Sequence, residues 1–168
     1  RYDREQDLLR IVNEAGEEHR IERDAEGRIT GERTFDGRAI RYKLDLLGRI
    51  VRRECGLEHI DLEYDPLGRL VKRSTSDGRE DVFEYDPLGR ITEASDALGR
   101  AWKMSYSPRG ELTSIVGPDN VRYRYTYSPL GQLTRVIDPR GGIRQLMYDS
   151  AGRRTGDADP LGRENQLS

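Results

Sequence analysis

The sequence predicts an all-β fold, an antiparallel meander of repeated two-stranded units about 21 residues long that forms a curved β-ribbon. Three observations predict it. Glycines recur at a constant interval, prolines fall only at or beside turns, and the stretches between turns alternate apolar and polar residues with the period of two that a strand requires. Gly27, Gly48, Gly68, Gly89, Gly110, Gly131 and Gly152 lie 21, 20, 21, 21, 21 and 21 residues apart.

The best-formed corner is Tyr64-Asp65-Pro66-Leu67-Gly68-Arg69-Leu70. Asp65 can bond backbone donors two residues on, Pro66 presets φ for the second turn position, and Gly68 supplies a positive φ without a Cβ clash. Tyr85 to Ile91 repeats it around Asp86 and Gly89, and Tyr148-Asp149 with Gly152 repeats it again. A second turn follows about ten residues after each corner, at Gly16, Gly37, Gly78, Gly99, Asn120, Gly141 and Gly162. Asn120 is the other residue type that tolerates left-handed geometry. Gly56 comes after only eight, so the unit from Arg49 to Glu63 is the short one. All seven prolines sit at or beside these two kinds of turn, where none removes a ladder hydrogen bond from a strand interior.

In chain order, residues 3 to 14 are the one stretch where a short helix competes with strands. Gly16 and the lack of a sustained 3.6 period favour strands, and Gln6 stands where an earlier corner glycine belongs. From there on, the residues four, six and eight before each corner glycine form triplets on one face. Leu44, Tyr42 and Ile40 begin the series, followed by Tyr64, Leu62 and Ile60. Tyr106, Met104 and Trp102, then Tyr127, Tyr125 and Tyr123, continue it. Tyr85 and Phe83 follow the pattern and Asp81 breaks it. Interleaved residues such as Glu63, Lys103 and Arg124 are polar, so one face packs and the other meets water. Each return strand opens with Ile29, Ile50, Leu70, Ile91 or Leu112, which extends the apolar stripe from strand to strand. The whole chain, 1–168, reads as a single array of about eight units, cut into a repeat at either end.

Composition narrows the function. Only 34% of residues are apolar and 36% are charged, too little for a thick core. Disorder is disfavoured because 29 basic and 31 acidic residues nearly cancel and nine tyrosines are spread along the chain. A net charge of −2 provides no long-range attraction to nucleic acid, and no apolar run approaches the length of a membrane span. Cys55 is the only cysteine, and His19 and His59 are isolated, which gives no spacing for a disulfide, a zinc site or a triad. No cofactor is expected.

Tyr-Asp-x-x-Gly-Arg followed by Leu or Ile, at a 21-residue period, resembles the YD repeats of RHS proteins. These also occur in the C component of insecticidal toxin complexes and in teneurins. Full matches run from Tyr64 to Arg69, Tyr85 to Arg90 and Tyr148 to Arg153. Weakened copies begin at Arg23, Leu44, Tyr106 and Tyr127. The resemblance covers Tyr2 to Arg163 and implies a segment of a β-ribbon that spirals into a hollow shell, which in bacterial members encloses a cytotoxic C-terminal polypeptide. Roughly 16 strands at ~4.8 Å spacing make a ribbon ~75 Å wide, a wall panel and no closed container. The partners implied are the remainder of the same shell, an enclosed toxin domain and delivery-apparatus proteins; the implied setting is secretion from a bacterial cell after cytoplasmic assembly. The family's auto-cleaving aspartates have no counterpart here, since Asp138-Pro139-Arg140-Gly141 and Asp159-Pro160-Leu161-Gly162 fall in the second-turn register.

No residue is expected to be catalytic or to bind a metal. Asp65, Gly68, Asp86, Gly89, Gly110, Gly131, Asp149 and Gly152 are expected to be structural corners. Tyr64, Tyr85, Trp102, Tyr106, Tyr123, Tyr125, Tyr127 and Tyr148 are the side chains expected to face a cargo or ligand. The arginines after the corner glycines form either a ladder for anionic sugars or phosphate, or ion pairs with carboxylates such as Glu63 and Glu84. Two functional readings follow: a non-enzymatic shell segment that shields a toxin, or a surface module that binds carbohydrate or a partner protein through tyrosines and arginines.

Overall fold

A computed structural model describes residues 8–166. Sixteen strands follow one another in chain order in an antiparallel sheet. The first eight are β1 Arg10–Val12, β2 Glu18–Arg23, β3 Ile29–Arg33, β4 Ala39–Leu44, β5 Ile50–Cys55, β6 Glu58–Tyr64, β7 Leu70–Thr75 and β8 Glu80–Tyr85. Then come β9 Ile91–Ser95, β10 Ala101–Tyr106, β11 Leu112–Val116, β12 Arg122–Tyr127, β13 Leu133–Ile137, β14 Ile143–Tyr148, β15 Arg154–Ala158 and β16 Glu164–Gln166. The chain forms two compact units, Arg1–Val82 and Phe83–Ser168. Of the stretch where a helix competes with strands, the described part holds β1; Gln6 and residues 3–7 lie outside the described residues.

All but two of the described turns share one geometry. At the Asp65 corner, the Gly68 N–H donates to Asp65 O and the Asp65 N–H donates to Arg69 O, both at 2.9 Å. That is a three-residue hairpin loop, a type I turn closed by a left-handed glycine, and Gly68 takes φ +83° as the closure demands. Asp138 and Asp159 carry the same pair of backbone bonds to Gly142 and Gly141, and to Arg163 and Gly162. The short unit is explained at Gly56. Cys55 pairs directly with Glu58, leaving a two-residue loop with Gly56 at φ +62° in its first position. One loop residue fewer gives the single 20-residue interval. The Asn120 turn departs from the others, because Asp119 and Asn120 are both left-handed, at φ 61° and 60°.

A second irregularity was not legible in the sequence. At each described corner pairing, the return strand carries one residue more than its partner. Tyr64 faces Leu70 while Glu63 faces Lys72, which leaves Val71 as a bulge. Thr30, Val51, Thr113, Thr134 and Thr155 are skipped in the same way. Thr113 and Thr134 turn their hydroxyls onto the carbonyls of Ser105 and Thr126, 3.0 Å away in each case. Because side chains alternate, one inserted residue moves all that follows to the other face. Leu70 therefore lies beside Tyr64 as the stripe requires, but Arg53 and Arg73 then stand opposite Tyr42 and Leu62. In the second unit the same positions hold Ile115 and Val136, opposite Met104 and Tyr125, and there the stripe is continuous.

Candidate functional surface: the tyrosine-bearing face

Among the described residues, neither unit contains a second layer over this face. Among the described residues Ile40 is the only apolar side chain that is buried, and the rest of the stripe is half-buried or exposed. A single sheet gives each side chain neighbours only in its own plane, so its stability comes from the ladder and from cross-strand pairs.

The corner tyrosines are tied down by their hydroxyls. Tyr64 donates to the carbonyl of Ile50 at 2.9 Å, Tyr106 to Ile91 at 2.8 Å, Tyr127 to Leu112 at 3.0 Å and Tyr148 to Leu133 at 2.9 Å. In every case the acceptor lies two residues after the preceding corner glycine. The preceding corner arginine completes the contact, with the Arg49 guanidinium 4.6 Å from the centre of the Tyr64 ring and that of Arg90 4.6 Å from Tyr106. These four repeats are thereby clasped to the ones before them, two of them through the arginine as well. Tyr85 ends β8, half-buried.

The corner arginines pair with the aspartates of their own turns. Arg69 Nε donates to Asp65 Oδ2 at 2.6 Å, and Arg49, Arg90 and Arg153 pair with Asp45, Asp86 and Asp149. Asp65 Oδ1 also accepts the N–H groups of Leu67 and Arg69 at 2.9 Å. The Arg69 N–H and its guanidinium hold the Asp65 carboxyl below the usual range, as the matching arginines do for Asp86 and Asp149. Among the glycines, Gly89, Gly110, Gly131 and Gly152 all take positive φ.

Of the rings expected to face a cargo, Trp102 and Tyr123 have the most open surface, 37% and 40% exposed. Tyr125 and Tyr127 are half-buried, and burial raises both hydroxyl pKa values. Two polar groups also lie on this face. His19 Nε2 is 2.9 Å from Glu32 Oε2, and the Tyr42 hydroxyl donates to Glu32 Oε1 at 2.5 Å, so His19 is not isolated. Asp157 is buried between Arg144 and Arg154, 2.7 Å from each guanidinium. The only available signal for His19 was its place eight residues before Gly27; its partner depends on a register that the bulge shifts. Among the described residues no three His, Cys, Asp or Glu side chains are grouped to hold a metal ion.

Strand order, corner geometry and repeat period together match a known architecture. Residues 1–156 match the teneurin YD-shell family model. The chain belongs to the teneurin YD-shell family. Several solved structures share its fold. A crystal structure of TcdB2-TccC3 without its hypervariable C-terminal region is 18% identical with a TM-score of 0.78, over 94% of this chain and 10% of that one. A second TcdB2-TccC3 crystal structure is 15% identical with a TM-score of 0.77, over 99% and 12%. The Photorhabdus luminescens Tc holotoxin pore, with a TccC3 substitution, is 17% identical with a TM-score of 0.74, over 90% and 9%. This YD-shell chain spans about a tenth of the length of those solved chains. No curated protein matches it by sequence.

Proposed function

We propose that the chain is a non-enzymatic stretch of shell wall whose tyrosine-bearing face looks onto an enclosed toxin polypeptide and shields it before delivery. The observation that carries this is the absence of any second layer over that face among the described residues. An apolar, aromatic stripe left half open suits a surface that meets something else. The repeat-to-repeat clasps give the wall its continuity. Its action is steric and entropic: it keeps the cargo's active groups from the producer's molecules and denies the cargo space to fold. The partners are the rest of the shell, the enclosed polypeptide and a delivery apparatus, with secretion from the producing cell. No helix of the described chain is long and apolar enough to cross a membrane.

The test is photo-crosslinking in a full-length polypeptide carrying this chain, with a photoreactive phenylalanine at Tyr123 or Trp102. Crosslinks to the C-terminal polypeptide are expected. Crosslinks solely to an external protein or glycan, together with glycan-array binding that Tyr125→Ala abolishes, would overturn the shell reading in favour of a recognition module.

A further inference from the structure

We infer that the face of the second unit opposite the tyrosines carries a binding site for a sulfated glycan, built by Arg122, Arg124 and Arg135. The register places these three together. Arg122 and Arg124 are two apart on β12 and project to one side, about 7 Å from each other along the strand. Thr126 faces Arg135 and Arg124 faces Ile137, so Arg124 and Arg135 are diagonal neighbours, about 7–8 Å apart.

What sets the cluster apart is the absence of carboxylates. On the corresponding side of the first unit, carboxylates stand among the cations: Lys43 and Arg52 meet Glu54, which also lies opposite Arg41, Arg52 and His59 meet Asp61, and Lys72 meets Glu80. On β11 to β14 of the second unit, this side presents no acidic residue, and none of the three arginines forms an ion pair among the described residues. The nearest acids in sequence are Asp119, in the turn before β12, and Asp138, in the turn after β13. Arg135 Nε is enclosed with no acceptor at all. In a chain with more acidic than basic residues, three neighbouring guanidiniums without ion-pair partners form a local positive site suited to an outside anion.

The surroundings choose the anion. Guanidinium forks match tetrahedral oxyanions, and several centres about 7 Å apart suit a polymer bearing more than one. Ser114 lies opposite Arg124, and Thr126 and Gln145 flank Arg135, which offers hydroxyl and amide groups to sugar hydroxyls. No aromatic ring stands on this side of β11 to β14, so single-stranded nucleic acid has nothing to stack on. That favours a sulfated polysaccharide over RNA or DNA.

Heparin tests the inference, with fully desulfated heparin and a thymidine oligonucleotide as comparison ligands for the intact chain. Saturable heparin binding is expected, weakened at least tenfold by Arg124→Ala/Arg135→Ala and unaffected by Arg33→Ala/Arg41→Ala on the first unit. Equal binding of the desulfated polymer, tighter binding of the oligonucleotide, or an equal loss from the first-unit pair overturns it. Hydrogen exchange on the unsubstituted chain guards against a variant that fails to fold: heparin should protect residues 122–137. Protection confined to the corner turns counts against the site.

Discussion

Removing the Tyr106 hydroxyl tests whether the repeats are clasped as the structure shows. Tyr106→Phe deletes the donor 2.8 Å from the Ile91 carbonyl and keeps the ring beneath Arg90. A net protein hydrogen bond contributes about 1 kcal/mol, and this one is only partly buried, so the cost should be about 1 kcal/mol. For a chain of 168 residues that is a fall of roughly 2–4 °C in Tm. Tyr106→Leu also removes the ring 4.6 Å from the guanidinium, a further loss of about 0.5–1 kcal/mol. Crossing each change with Arg90→Gln separates the two contributions. The cycle with Tyr106→Leu should show a coupling of about 0.5–1 kcal/mol, and the cycle with Tyr106→Phe should show almost none. Urea unfolding followed by Trp102, the single tryptophan and a neighbour on β10, provides the readout. Because repeat arrays can unfold in segments, amide exchange along β9 and β10 should move with it. An unchanged unfolding midpoint in Tyr106→Phe, or equal coupling in both cycles, would refute the clasp.

Other expectations follow from the same contacts. Gly131→Ala forces an alanine to φ +79° and should cost about 1–2 kcal/mol, measured by urea unfolding, whereas Ala151→Gly beside the next corner should cost less than half as much. Gly117→Ala leaves the backbone region unchanged, but its Cβ would lie 3.3 Å from Trp102 Nε1, so a shift in tryptophan emission should accompany a loss of under about 1 kcal/mol. The corner carboxyls of Asp65, Asp86 and Asp149 titrate below their unfolded values, held by backbone N–H groups and then by their arginines. Their contribution is therefore fully present above the ordinary carboxyl pKa of about 4 and is lost as the pH falls through the lower folded values. The urea midpoint should be flat above about pH 5 and fall below pH 4, less steeply in Asp65→Asn/Asp86→Asn/Asp149→Asn. Thr134→Val removes the hydroxyl bond to Thr126 O and should cost about 0.5–1 kcal/mol in the same assay.

The parts of this protein that the sequence alone determined are those whose physics is local. A left-handed backbone favours glycine and, next to it, asparagine or aspartate, and Asp65, Pro66 and Gly68 each act within a few bonds of themselves. The turns, their period, the strand polarity and the alternation of Tyr64, Leu62 and Ile60 were therefore legible without any long-range contact. The structure decided what depends on registry between strands. An unpaired Val71 or Thr113 has no distinctive composition, yet it moves Arg53 and Arg73 onto the tyrosine side. Registry also brings His19 to Glu32, encloses Asp157 between two arginines, and gives each corner arginine to its own turn while Arg122, Arg124 and Arg135 are left without acids. Tyr64 and Tyr106 show the division within single residues. Their place on one face follows from a period of two, but the carbonyl and guanidinium that hold them belong to the preceding repeat, and only the folded sheet brings those groups within bonding distance.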